Sequence, residues 1–192
     1  MKKRRGCLKP VLFILVAVFL LYFLVGDGKE IVLKKIYPVK YQELVERFAD
    51  EYGLDRYLIY SVIKVESNFD PDALSNAGAK GLMQLMDKTA AECNVKGEFG
   101  YNIPEDLYEP EKNIKLGCYY LSSLMYTYND MELAVTAYNG GTGNVKKWLK
   151  DENLSNGEGG LSDIPYSETK RYVEKVTKTY EIYNRLYKQD NF

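Results

Sequence analysis

The stretch from Leu54 to Met86, "LDRYLIYSVIKVESNFDPDALSNAGAKGLMQLM", decides the fold. Leu58, Ile59, Val62, Ile63 and Glu66 recur at i, i+1, i+4, i+5 and i+8, which is one stripe of an α-helix. Asp55 stands where an N-cap belongs. Glu66 thus shares a face with core-facing apolar side chains, and such neighbours disfavour ionisation and raise a carboxyl pKa. The negative end of the helix dipole acts in the same direction. An acid that keeps its proton near neutral pH suits general-acid chemistry on a glycosidic oxygen. Spacing alone leaves a second reading open, a structural Glu paired with a buried Lys or Arg. Beyond Glu66 a polar loop, Ser67 to Gly81, reads into a Gly-led second helix over Gly81 to Met86.

Outward from this stretch, composition bounds the rest. The chain has 192 residues, 46% hydrophobic and 28% charged, enough for one cored domain and an appendage. Its net charge of −1 is unevenly spread. Lys2, Lys3, Arg4, Arg5 and Lys9 precede residue 25 with no acidic residue among them, so the remainder is net acidic. That argues against nucleic acid as a partner. There is no His, which removes His-based triads and the commonest zinc sites. Cys7, Cys93 and Cys118 form no CxxC pair. Cys93 and Cys118 read as buried free thiols, with a disulfide as the alternative if the domain faces outside.

Residues 1–10 are basic, and 11–25, "VLFILVAVFLLYFLV", are unbroken apolar sequence. As a helix this run spans about 22 Å, short of the roughly 30 Å hydrocarbon core unless Leu8 and a snorkelling Lys9 extend it. No small-x-small cleavage site follows, so an uncleaved membrane anchor is expected, a cleaved signal being the alternative. The positive-inside rule keeps the N-terminus cytoplasmic and puts the following domain outside. Residues 26–40 read as a linker with Gly26, Gly28 and Pro38 as breakers.

Residues 41–187 read as all-helical. A first helix runs from Tyr41 to Tyr52 with Gly53 as its stop. Asp87 is expected to cap a helix through Thr89 to Asn94, and a loop with Pro104 follows. A long helix opens at Pro110 and runs to about Tyr128, with Gly117 implying close approach to another backbone. Short helices are expected over Met131–Asn139 and Asn144–Lys150. "NGEGG", Asn156 to Gly160, reads as a flexible break, and a last helix runs from Ser167 to Tyr187. On pattern alone Met83, Leu85 and Met86 read as core, Tyr138 as core with a satisfied hydroxyl, and Asn139-Gly140-Gly141 as a helix stop. Gln84 is harder to place, because a core Gln must find hydrogen-bond partners.

Four signatures occur in order: "ESNFDPDALSNAGAKGLMQLM" (66–86), "NIKLGCYYLSSL" (113–124), "AYNGG" (137–141) and "IPYSETKRYVEKV" (164–176). Together they resemble the catalytic domain of the soluble lytic transglycosylase (SLT) family over roughly residues 40–187. The resemblance implies a lysozyme-like, goose-type helical fold with a glycan cleft, acting on peptidoglycan strands. It implies Glu66 as the single acid/base, with Ser75, Gln84, Met86, Tyr138, Asn139 and Glu168 contacting substrate or orienting Glu66. No metal and no cofactor are implied. Two departures are Gly140-Gly141, where many relatives read Ala-Gly, and Asp87 where many have Pro. A hydrolase of the same bond is the rival expectation; it would need a second carboxylate from Asp70, Asp72 or Glu168. A non-catalytic peptidoglycan-binding protein is the rival from another class.

Overall fold

The computed structural model describes residues 8–25 and 27–188. The basic N-terminal residues before Leu8, Cys7 among them, and the breaker Gly26 lie outside the described residues. The chain divides into two compact units, one of Met1–Pro38 with Leu186–Phe192, the other of Val39–Arg185.

The first unit holds α1 (Leu8–Val25) and α2 (Asp27–Ile36). Side chains on every face of α1 from Val11 to Tyr22 are exposed, although the helix is apolar all round. Such a helix is at home only in apolar surroundings. Among the described residues no single helix is long and apolar enough to cross a membrane. The bent pair Lys9–Phe23 and Gly28–Ile36 qualifies together by length and composition. The segment read as a linker is therefore largely helical, with Glu30 and Lys34 paired at 3.0 Å across one turn. Within the same unit the Tyr187 hydroxyl donates to the Tyr37 carbonyl at 2.8 Å.

The second unit is all-α. It contains α3 (Gln42–Tyr52), α4 (Arg56–Glu66), α5 (Asp87–Lys96), a 3₁₀ turn (Glu105–Tyr108), α6 (Pro110–Tyr128), α7 (Met131–Gly140) and α8 (Thr142–Trp148), and most of α9 (Ser167–Tyr187). Its only β features among the described residues are isolated bridges. Asp55 caps α4 as its position implies, its carboxylate accepting the Tyr57 N–H at 2.7 Å. Leu58, Ile59, Val62 and Ile63 are fully buried, each stabilising the fold by about 1.5–3 kcal/mol. Gly53 stops α3 in the left-handed conformation, as expected.

The central helix is α6, which packs against α3, α5, α7 and the 3₁₀ turn. Pro110 opens it and Asn129 closes it in the left-handed conformation. Its close approach is made to a side chain rather than to a backbone: a Cβ on Gly117 would lie 2.3 Å from the Met83 sulfur. Cys93 and Cys118 are both buried and unpaired.

Four expectations are corrected. Gly81–Met86 is not a helix but a tight reversal: Gly81 and Gln84 have φ of 73° and 48°, and Lys80 and Leu85 exchange both backbone hydrogen bonds at 3.0 Å. Helix α5 then starts at Asp87, with Met86 as its N-cap; Asp87 instead takes Lys80 at 2.5 Å. Helix α8 spans Thr142–Trp148, because Gly141 at φ 82° can turn the chain two residues earlier than periodicity suggested. Finally, "NGEGG" is a closed turn rather than a break, the Asn156 side-chain carbonyl accepting the N–H groups of Glu158 and Gly160, each at 2.9 Å.

Because Met83 fills the space in front of Gly117, Gly117→Ala is expected to destabilise the protein by about 1–3 kcal/mol. Urea unfolding measures this. Adding Met83→Ala should recover part of the loss, a coupling that a double-mutant cycle resolves.

Candidate active site

Glu66 is the last residue of α4, and the chain reverses immediately after it. Asn68 and Phe69 both sit in the left-handed region, at φ 53° and 65°. For a bulky residue such as Phe that costs on the order of 1–2 kcal/mol. Burial of the Phe69 ring against Tyr60 offsets the strain. The turn that follows closes the last turn of α4 through Ser67 and Asn68, whose N–H groups bond the Ile63 and Lys64 carbonyls at 3.1 and 3.2 Å, and then leads the chain away.

The Ser67 hydroxyl donates to the Leu82 carbonyl at 2.8 Å, joining the end of α4 to the Gly81–Met86 reversal. Asn113 on α6 holds the same reversal from behind. It accepts the Met83 N–H at 2.8 Å and donates to the carbonyls of Lys80 at 3.0 Å and Leu107 at 2.8 Å. The Tyr138 hydroxyl, from α7, donates to the Met83 carbonyl at 2.8 Å. Gln84 finds the partners that a shielded amide needs, donating to Ala73 at 3.1 Å and Gly81 at 3.0 Å. Ser75 closes the preceding loop by accepting the Ala79 N–H at 2.9 Å.

These ties shape a groove of about 940 Å³. Glu66, Ser75, Gln84, Met86, Tyr138, Asn139 and Glu168 all line it, so the structure brings together every site residue singled out in the sequence. The reading of Met83, Leu85 and Met86 as core divides. Met83 and Leu85 are buried, while Met86 is 43% exposed and lines the groove. Of the three carboxylates considered as a second acid or base, only Glu168 is part of the wall. Asp70 instead caps its own loop, accepting the Asp72 N–H at 3.0 Å.

Burial raises the Glu66 pKa from its ordinary 4.5 to about 7, and the Tyr172 hydroxyl opposes this by interacting with the carboxylate form. That hydroxyl is buried and falls short of regular hydrogen-bond geometry to any acceptor. Its pull on Glu66 is accordingly the smaller effect. Tyr138 and Tyr172 are themselves pushed well above the usual phenol value, first by burial and then by the negative charge of Glu66. Both remain O–H donors at any physiological pH. Burial and the Tyr172 hydroxyl account for the Glu66 shift, and among the described residues no charged side chain contributes to it, which speaks against a buried ion pair.

With this geometry in place, the sequence can be set beside known proteins. The family model for the transglycosylase SLT domain matches residues 43–158. The chain belongs to this family. Similar curated proteins include the membrane-bound lytic murein transglycosylase C of Edwardsiella ictaluri, 34% identical over 77% of this chain, and that of Pectobacterium atrosepticum, 32% identical over 76%. Among solved structures, an inactive mutant of lytic transglycosylase Slt from Pseudomonas aeruginosa matches 78% of this chain at 36% identity with a TM-score of 0.71. The 70 kDa soluble lytic transglycosylase of Escherichia coli matches 80% at 30% identity, also with a TM-score of 0.71. The chain spans 47% of the length of those curated relatives and about a quarter of the solved chains (24% and 25%). The fold of this SLT domain is thus that of the lytic transglycosylases.

Sequence reasoning missed two groups at the site. The sequence places Tyr172 only within the last helix, and it is the fold that turns its hydroxyl toward Glu66. Asn113 lies on the same helical row as Gly117 and Leu121, and a polar residue on a buried row is the signal that identifies it.

The Glu66 shift carries a stability consequence. Between pH 4.5 and about 7 the folded protein keeps a proton that the unfolded chain has released, so stability falls as pH rises through that window. Glu66→Gln removes this dependence. The variant is expected to exceed the wild type by about 1–3 kcal/mol at roughly pH 8, discounted for the open side of the groove, and to converge with it toward roughly pH 4. Tyr172→Phe should raise the Glu66 pKa further, readable by NMR titration of the carboxyl carbon.

Proposed function

We propose that the protein is a membrane-tethered peptidoglycan lytic transglycosylase that cleaves the β-1,4 bond between MurNAc and GlcNAc. The observation that carries this reading is the Glu66 carboxyl, raised by burial to a pKa of about 7, in the wall of a groove of about 940 Å³. The names of the similar curated proteins support the same activity.

The chemistry needs one carboxyl group acting twice. Protonated Glu66 gives its proton to the glycosidic oxygen as the bond to the anomeric carbon breaks, and the GlcNAc end leaves as an alcohol. The MurNAc acetamido group takes up the positive charge at that carbon. Glu66, now ionised, removes the proton from the MurNAc C6 hydroxyl, whose oxygen closes on the anomeric carbon. The product is 1,6-anhydro-MurNAc, and Glu66 is again protonated. The intramolecular attack gains from preset geometry. No metal, cofactor or water is consumed.

The Tyr172 hydroxyl favours the ionised form of Glu66 midway through this cycle, while burial favours the protonated form at its start; Tyr138, bonded to the Met83 carbonyl, supports the wall beside it. Ser75, Gln84, Asn139 and Glu168 offer polar contacts to the glycan, and Met86 offers an apolar one. Residues 11–25 serve as the anchor, 26–40 as a partly helical linker and 41–187 as the catalytic domain. The N-terminus is then cytoplasmic and the groove faces the wall. The all-round apolar, exposed surface of α1 supports a lipid setting.

Purified full-length protein acting on wall sacculi should release muropeptides with anhydro ends, detected by mass spectrometry. Reducing ends would instead indicate hydrolysis, with Glu168 as the second carboxylate. Glu66→Gln should lower turnover at least about 100-fold, and wild-type kcat/KM should fall above roughly pH 7 as the proton is lost. Determining the N-terminus of the protein in membranes tests the anchor; a mature start near residue 27 would mean a cleaved signal.

A further inference from the structure

One exposed aromatic group in the groove has no place in the chemistry above. Tyr166 lines the groove and is 51% exposed, while its neighbours Ile164 and Thr169 are buried. Its ring forms a T-shaped pair with Trp148, with centroids 4.9 Å apart and planes at 84°. Trp148 is itself buried. The Tyr166 carbonyl accepts the Lys170 N–H at 2.9 Å, so the first turn of α9 fixes its backbone. Pro165, directly before it, has its own φ fixed by its ring. The T-shaped contact with Trp148 and the backbone bond into the first turn of α9 hold the ring in place before anything binds.

From this arrangement we infer that Tyr166 is a sugar-stacking platform, a binding subsite for one pyranose ring of a β-1,4-linked N-acetylated amino-sugar strand. The inference rests on the glycan reading of the groove. The remaining wall is mostly polar, with Ser75, Gln84, Asn139 and Glu168, and Met86 is the other large apolar side chain exposed there. In a β-linked glucosamine ring every substituent is equatorial, so the axial C–H groups form a flat apolar face. That face matches an exposed aromatic ring, while the ring's edges carry hydroxyl and acetamido groups that suit polar neighbours. Tyr126, by contrast, is 91% exposed and lies outside the groove, which makes it a control of the same residue type.

Trp148 is the only tryptophan in the chain, and its ring packs against that of Tyr166. Occupation of the platform should therefore change tryptophan emission. Full-length Glu66→Gln protein, which binds without cleaving, is titrated with a soluble GlcNAc–MurNAc tetrasaccharide by calorimetry and by tryptophan fluorescence. A saturable emission change is expected in the parent. Adding Tyr166→Ala should raise Kd about tenfold, the scale of one lost stacking contact, and abolish the emission change. Tyr166→Phe should keep both within about twofold, because stacking needs the ring and not the hydroxyl. Tyr126→Ala should alter neither. Thermal melts check that each variant is folded. Calorimetric binding that is unchanged in Tyr166→Ala overturns the platform alone. Absence of any binding by the parent overturns the glycan reading and the platform with it.

Discussion

The reversal between Lys80 and Leu85 is the constraint on which the site depends. Its backbone is held from several sides at once. Ser67 bonds its Leu82 carbonyl, Tyr138 its Met83 carbonyl, and Asn113 its Met83 N–H and Lys80 carbonyl. Each partner comes from a different part of the fold: the end of α4, then α7, then α6. Gly81 is required here, because a Cβ would lie 2.2 Å from the Leu107 carbonyl oxygen. A short irregular segment can be held this firmly only when its polar backbone groups are paired, since each one left buried and unpaired costs about 1–3 kcal/mol. The same pairing sets the distance between the residue after Glu66 and the hydroxyl of Tyr138. The reversal is therefore what makes one site of three helices.

The electrostatics of Glu66 follow from the same framework. Burial pushes its pKa up, and the Tyr172 hydroxyl pulls it part of the way back. A value near 7 is a compromise between these two effects, and it matches what one group must do if it is both to give and to take a proton. A carboxylate neutralised by Lys or Arg would have been held ionised and unable to give one. The nearest cation in sequence, Lys64, turns to Asn68 instead. The absence of His from the chain is no handicap to such chemistry, because a desolvated carboxyl reaches the pKa range that His occupies unaided.

Much of this was legible in the sequence where the signal is local. Asp55, the apolar stripe of α4, Pro110 and Gly53 each specify an element or its end through short-range signals, and the structure follows them. "GLMQLM" was misread for a physical reason. Leu82, Met83, Leu85 and Met86 have helical spacing, but Gln84 adopts a left-handed backbone only because Asn113, some 30 residues on, claims the neighbouring amide. Long-range pairing of that kind leaves no local trace. Tyr172 and Tyr166 are instructive in the same way. Both are tyrosines in α9 or at its start, yet one faces the carboxyl from within and the other faces open groove. Only the packing of α9 separates them.

The strain after Glu66 completes the argument. A helix that ended in an ordinary glycine cap would fold its next residues back over its own last turn. Here Ser67 is tied to the reversal instead, and Asn68 and Phe69 absorb the change of direction in two consecutive left-handed steps without a glycine. Placing a large ring in that conformation is costly, and Phe69 is retained there because its ring is needed in the core below. Replacing Asn68 or Phe69 by glycine would relieve the backbone, but it would free the segment between the acid and the Ser75 loop and, at Phe69, empty the core. The strained, anchored turn keeps Glu66, the last residue of α4, in the groove wall, which is the condition for a shielded acid to meet its substrate at all.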